Sequence, residues 1–472
     1  MTTSIAWFRR DLRLHDHPAL TRAMAAGDDV VPLFVFDEGL LAGRWRSANR
    51  TWFLLGSVRE LAHDLADRGA PLIVRVGDPR RIVPELAAAV GAGSVEVSRD
   101  LGPYGRARDR AVAAALDERG IAFHAHRGAV VHEPEQVRTG TGGPFSIYSP
   151  YRRAWDRLPL RAVLPAPEAL AGRTDLDPGR LPDLADLGFA GPTADPAHLP
   201  MPGETAARAR LERWLETGPD RLDGYAARRD LLGVEGTSRL SADLRFGLLS
   251  PLEVAARAIR PGEGARTFLG ELAWRDFYAA LLFERPDLIR SSFRREFEAM
   301  AWRHDPDGVA AWQAGRTGYP VVDAAMRQLE ATGFMPNRAR MVVASFLTKD
   351  LLVDYRVGEA WFMSHLVDGD PASNGGGWQW SASTGADAQP FFRVFEPTLQ
   401  GERFDADGSY VRRWIPELAD VPDRFLHRPW SMPPEVAAAS GCRIGVDYPA
   451  PIVDHASARW RALAAFEAAR RG

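Results

Sequence analysis

The chain has 472 residues, 46% hydrophobic and 26% charged, the composition of a soluble globular protein too long for one ordinary core, so two or three domains are expected. A formal net charge of −3 excludes a globally basic nucleic-acid binder, although local patches stay open. The single cysteine, Cys442, excludes an intrachain disulfide and any cysteine-based zinc cluster, and fits a reducing, cytoplasmic setting.

No signal-peptide pattern opens the chain, and no apolar run approaches the length of a membrane span. In the first third, SIAWF, VVPLFVF, PLIVRV and SVEVS read as short buried strands, with the helical patterns HPALTRAMAAG and DPRRIVPELAAAVG between them. This βαβ series predicts an α/β domain over 1–130 with a mainly parallel, Rossmann-like sheet. Gly91 and Gly93 end a helix and precede a strand, the wrong context for pyrophosphate binding. His15, Asp16 and His17 suggest a metal site at first sight. Pro18 as first helical residue, capped by Asp16 or His17, explains them more simply, so no metal is expected.

Residues 131–205 carry twelve prolines and little periodicity and read as an inter-domain connector lying against the surface. From 206 to 472 helical patterns dominate, among them PLEVAARAI, FLGELAWRDFYAALLFE, VDAAMRQLEATG and EAWFMSHLV, predicting a larger all-α domain. Thr237, Ser238, Arg239, Leu240 and Ser241 place three hydroxyls and a guanidinium before a helix, a pattern open to phosphate oxygens or to plain capping. Ser250-Pro251-Leu252-Glu253 is a capping box. Helical spacing sets Glu271, Trp274, Arg275 and Tyr278 on neighbouring positions of one face, where Glu271 and Arg275 form either a surface ion pair or part of a ligand surface. Asp368 and Asp370 fail the calcium reading, since Ser373 and Gln379 stand where an EF-hand loop wants glycine and glutamate. The stretch DGDPASNGGGWQW, 368–380, reads as a loop whose glycines admit close backbone approach to something flat and polar.

From WFRRDLRLHDHPAL near the start to YPAPIVDHASAR near the end, these motifs resemble the photolyase and cryptochrome flavoprotein family, its class I cyclobutane pyrimidine dimer photolyases in particular. The resemblance spans essentially the whole chain. It implies a lyase that repairs UV-damaged DNA by light-driven electron transfer from reduced FAD to a flipped-out dimer, a base-flipping reaction. It further implies that Tyr225 and Thr237 to Ser241 hold the FAD phosphates and ribitol, and that Arg340 pairs with Asp368 beside the flavin. Asp370 would face the flavin amide edge, and the neutral amide of Asn374 would sit opposite N5. Glu271 would hydrogen-bond the dimer, Trp274 and Trp380 would pack its faces, and Arg275 and Arg338 would contact DNA phosphates. Asn337 and Met341 stand where (6-4) photolyases place histidines, which favours the cyclobutane dimer as substrate, and DASH-type cryptochromes depart from tryptophan at Trp380. The competing implication is a blue-light photosensor without repair activity. A monomer without obligate protein partners is expected.

The resemblance also marks two departures. Trp378 and Trp302 match the ends of a three-tryptophan photoreduction chain whose middle member is here Tyr355, so slower or rerouted photoreduction is expected, with Trp361 offering a detour. Folate-binding members carry an Asn-Glu pair where this chain has Tyr104-Gly105, so 8-hydroxy-5-deazaflavin is the expected antenna rather than methenyltetrahydrofolate. Its contacts would be Asp37, Arg50, Asp100 and Arg245.

Overall fold

Five strands, β1 (Thr3–Phe8), β2 (Asp29–Asp37), β3 (Ile73–Gly77), β4 (Ala92–Ser98) and β5 (Ala122–His126), form one fully parallel sheet in the order β3-β2-β1-β4-β5. The computed structural model describes residues 2–471. Strands β1 to β4 are the four apolar runs of the sequence. β5, AFHAH, had no such signal, because it is a half-exposed edge strand whose His124 and His126 both hydrogen-bond the buried Glu96 carboxylate of β4.

The helices of this part are α1 (Pro18–Ala26), α2 (Ala48–Asp67), α3 (Pro79–Ala89) and α4 (Pro103–Asp117). One sheet face packs Trp7, Leu33, Val95 and Val97 against Val83 and Ala87 of α3 and Val112 and Leu116 of α4. The opposite face joins Ala6, Phe8, Phe34 and Phe36 to Phe53, Val58 and Leu61 of α2, and that core continues without a break into Leu244, Phe246, Phe268 and Phe277 of the helical part. A parallel sheet must be covered on both faces, and here the second cover is shared with the rest of the molecule.

The connector is more ordered than its composition suggests. It folds a helix, α5 (Tyr148–Trp155), with Tyr151 and Trp155 buried. It also runs along the open edge of the sheet, where Val74 N donates to Pro178 O at 2.7 Å, so the β3 edge is not left bare. Beyond His126 no further strand forms among the described residues, and helices follow one another to the C-terminal α10 defined below. Those that position the site are α6 (Glu263–Glu284), α7 (Asn337–Ser345), α8 (Tyr355–His365) and α9 (Pro371–Ser381); the last is α10 (His455–Arg471). Among the described residues no helix is long and apolar enough to cross a membrane, and no group of metal-binding side chains is present.

The HDH motif resolves as a cap and a clamp. His17 is the N-cap of α1, its Nδ1 accepting from Leu20 N at 2.9 Å. Asp16, at φ +48 and fully buried, takes both nitrogens of Arg161 from the connector, the hydroxyl of Ser250 and the N–H of Leu164.

Candidate functional site

Helices α6, α7, α8 and α9, with the short helix Tyr225–Arg228, surround the candidate site. The stretch read as a loop is helical: Asp370 caps α9, its Oδ1 accepting from Ala372 N and Ser373 N at 3.1 Å, and Pro371 takes the first turn. Glycine costs a helix interior about 1 kcal/mol against alanine, so three in a row, Gly375 to Gly377, need a reason. A Cβ on Gly376 would stand 2.2 Å from the Tyr278 ring, and one on Gly375 would stand 3.3 Å from Glu359 Oε1. Gly377 faces open space. The glycines bring the backbone of α9 against α6 and α8, and they leave one bare backbone face.

Around that helix the predicted residues assemble. Arg340 donates to Asp368 Oδ2 at 2.8 Å and to Met335 O at 2.8 Å. Asp368 Oδ1 is buried without any partner, an acceptor that a ligand N–H would satisfy. Asn374 Nδ2 donates to Glu359 O at 3.1 Å, which fixes the amide and leaves its oxygen as the free end. The Glu359 carboxyl, raised to about 7 by burial, lies behind it, a group the sequence reading did not single out. Glu271 is ion-paired with Arg229; burial raises its carboxyl pKa and Arg229 opposes the rise. Arg229 also lies 5.9 Å from the Tyr225 ring centroid, joining Tyr225 to the same wall. Trp274 and Trp380 are half-buried. Asn337 and Met341, one turn apart on α7, touch each other at 3.7 Å. Arg338 pairs with Asp230 at 2.9 Å and lies over the Phe404 ring.

In the loop before Ser241, Arg239 adopts φ +53, pairs with Glu235 and packs over Phe334, whose ring also neighbours Arg340. Thr237 and Arg239 share a small cavity with Gln328, Phe334 and Tyr410. Leu240 is 1% exposed, so its side chain belongs to the core and only its backbone faces the loop; Ser238 Oγ accepts from that backbone N–H at 3.4 Å, and Ser241 is exposed.

Two expected roles are not met. Arg275 does not point to a DNA surface: it donates to Ala129 O at 2.8 Å and Leu244 O at 3.2 Å, beside Asp276, because this side of α6 packs on the N-terminal part of the chain. The Asp370 carboxylate, expected to face the flavin amide edge, is committed to protein partners. One oxygen caps α9 and the other takes Arg10 at 2.6 Å, in the cleft between the two parts.

Of the electron-relay candidates, Trp378 is 2% exposed and Trp302 half-buried against Phe466. The rings in contact with Trp378 are Phe362 at 4.9 Å and Trp312 at 6.1 Å; Trp361 stacks on His365. Trp312 is fully buried, and in the sequence nothing separated it from an ordinary core tryptophan.

Residues 4–169 match the DNA photolyase family, and residues 268–468 match the FAD binding domain of DNA photolyase. The chain belongs to the DNA photolyase family. It is 41% identical to a deoxyribodipyrimidine photo-lyase of Halobacterium salinarum, over 98% of both chains. Its fold is similar to a bacterial class III photolyase from Agrobacterium tumefaciens (TM-score 0.94, 38% identity, covering 100% of this chain and 98% of that one). It is also similar to a Synechocystis cryptochrome (TM-score 0.91, 30% identity, 98% and 99% covered).

A cavity of about 490 Å³ lies between the two parts of this photolyase-family chain. It opens outside the carboxyl ends of β1, β2 and β4, at the point where the strand order reverses, the usual ligand crevice of an open parallel sheet. Asp37, Arg50, Asp100 and Arg245, expected from the resemblance to contact an antenna pigment, all line this cavity. Asp37 accepts from the Tyr104 hydroxyl at 2.8 and 3.0 Å, and Arg108 reaches both Asp37 and Asp100. Gly105 is required for this packing, since a Cβ there would stand 2.1 Å from the Asp100 carboxylate. Burial lowers Arg50 to about 10 and Arg245 to about 9. Arg9, Arg10 and Arg108 add positive charge to the wall that motif reading left unassigned.

Proposed function

We propose that the chain is a deoxyribodipyrimidine photo-lyase that splits cyclobutane pyrimidine dimers in UV-damaged DNA. The observation that carries the reading is the buried, partnerless Asp368 Oδ1 beside the bare glycine face of α9 and the fixed amide of Asn374, a set suited to a flavin's imide edge. FAD, when bound and reduced, supplies the light-excited electron that opens the cyclobutane ring and then takes it back.

The chain's own residues hold and orient. Asp368 Oδ1 would accept the imide N–H of a bound flavin, while Arg340 keeps its other oxygen fixed. Asn374, its amide nitrogen committed to Glu359 O, would offer its amide oxygen to the flavin. Tyr225 and the loop from Thr237 to Ser241 bind the phosphate end, with Leu240 contributing backbone alone. Glu271, whose burial favours the protonated form, donates to a pyrimidine carbonyl once Arg229 yields it. Trp274 and Trp380 pack the dimer, Asn337 and Met341 line its floor, and Arg338 meets phosphate. The flipped pair costs a few kcal/mol to extract, less for a damaged base.

In the inter-domain cavity an excess of arginine over aspartate suits an anionic planar pigment, read as 8-hydroxy-5-deazaflavin; an extracted pigment that migrates and absorbs as folate overturns that identity. A monomeric protein of the reducing cytoplasm is the accompanying expectation, the reducing setting being consistent with the one free, buried cysteine.

The test is dimer loss from a UV-irradiated thymine oligonucleotide with chemically reduced protein, under blue light and in the dark. Light-dependent recovery of thymines is expected. No recovery with FAD bound and reduced overturns the repair reading and leaves the photosensor.

A further inference from the structure

Trp274 is not held by its own helix alone. Tyr148, the first residue of α5 in the connector, lies parallel to the Trp274 indole with ring centroids 3.7 Å apart and planes 9° from coplanar. Three further contacts fix the tyrosine. Its hydroxyl donates to Gly270 O, one turn before Trp274 on α6, at 2.7 Å. Its ring meets Phe277 edge-on at 5.9 Å. Its backbone N–H donates to Asp387 Oδ2 at 3.0 Å, and Asp387, at φ +45, belongs to the segment that follows Trp380. Burial raises the phenol to about 12, so the hydroxyl remains a donor at every working pH.

Each contact has a consequence for the site. A tryptophan that forms a pocket wall must otherwise be immobilised when the ligand arrives, at a cost in side-chain entropy; a parallel ring fixed behind it removes that cost beforehand. The tether to Asp387 couples the same residue to the chain leaving Trp380. A ring anchored at its hydroxyl, its edge and its backbone is a fixed support, not a cover that swings aside for the ligand.

We infer that Tyr148 is a positioning residue for dimer recognition: its ring backs Trp274 and its backbone anchors the segment after Trp380, so one connector residue sets both aromatic walls. The inference rests on the photo-lyase reading and concerns discrimination of damaged from undamaged DNA, not the photochemistry.

The experiment compares FAD-loaded wild type with Tyr148→Leu and Tyr148→Phe in the dark, measuring dissociation constants for an oligonucleotide with one thymine dimer and for the same strand undamaged. Tyr148→Leu weakens dimer binding about tenfold, the upper range of a lost aromatic pair, with undamaged binding, the FAD absorbance and repair per photon of bound substrate unchanged. Tyr148→Phe, which keeps the ring, stays within about twofold of wild type. The inference is overturned if Tyr148→Leu binds the dimer as tightly as wild type, or more tightly, as a ring occupying the dimer's own place would require. It is equally overturned if both DNAs weaken together, or if Tyr148→Phe is as poor as Tyr148→Leu. Should Tyr148→Leu fail to load FAD, Asp387→Ala tests the tether, and unchanged discrimination there overturns it. A wild type that does not distinguish the two DNAs sinks the photo-lyase reading instead.

Discussion

Tyr355 stands where a relay tryptophan is expected, and its surroundings decide what it can do. It is 2% exposed, its hydroxyl lies 3.4 Å from Ser292 Oγ, and the Arg356 guanidinium sits 4.7 Å over its ring. Burial pushes the phenol up to about 12. Oxidising a tyrosine at neutral pH requires its proton to leave, and neither a serine hydroxyl nor an arginine is a base that takes it. A cation over the ring further disfavours the positively charged radical. Trp312, in edge-to-face contact with Trp378, needs no proton acceptor at the moment of transfer. Photoreduction of bound FAD is therefore expected to depend on Trp312 more than on Tyr355. Tyr355→Trp is expected to accelerate photoreduction about tenfold, a barrier lowered by about 1.4 kcal/mol, while Tyr355→Phe leaves it unchanged and Trp312→Phe slows it. Flash absorption reads all three, and a block in Tyr355→Phe would show that the tyrosine carries the charge after all. Repair by chemically pre-reduced protein should not move in any of them.

The helix α9 shows how an element can be dictated by its neighbours against its own sequence. Its three glycines disfavour a helix, yet the Asp370 cap and the contacts to α6 and α8 form one, because packing overrides propensity where several kcal/mol of burial are at stake. Gly376→Ala should lower the melting temperature of flavin-stripped protein, at a cost of about 1–3 kcal/mol, as its Cβ meets the Tyr278 ring. Gly377→Ala, with nothing nearby, should be neutral or stabilise by up to about 1 kcal/mol. Equal effects at both positions would refute the steric account. The same helix marks the limit of reading from residues alone. The Arg340–Asp368 pair was legible as two opposite charges and Asn374 only through the family resemblance, while β1 to β4 were legible because the strands of a parallel sheet covered on both faces are largely apolar. The helical state of 371–381 and the edge strand β5 were not, since one depends on tertiary packing and the other on two histidines satisfied by a glutamate in the next strand. Periodicity put Glu271, Trp274 and Arg275 on neighbouring positions, but only the packing of α6 shows that Arg275 turns towards the inter-domain cavity while Glu271 faces Arg229.

At the scale of the molecule, the cavity lies between two walls, and Asp16 is one of the groups that join them. It binds the N-terminal part, where it lies, to Arg161 and Leu164 of the connector and to Ser250 of the helical part. Burial opposes its ionisation, but the hydrogen bonds from Arg161, Ser250 and the Leu164 backbone outweigh burial and hold its carboxyl below the ordinary value. A depressed folded-state pKa fixes the sign: the stabilisation is fully present above the unfolded value of about 3.9 and is lost as pH falls through the folded one. Neighbouring Arg13, buried and donating to Gly247 O and Gly128 O, ties the same parts through carbonyls that do not titrate, so acid loosens the joint without abolishing it. Asp16→Asn should cost about 1–3 kcal/mol at neutral pH, since it removes charge-assisted bonds to Arg161, itself partly exposed to solvent. It should also flatten the acid limb of a stability-against-pH curve below about pH 4, where the wild type loses what the variant already lacks. Calorimetry across that range checks both, and a variant whose acid limb is as steep as that of the wild type would show that the joint is held elsewhere.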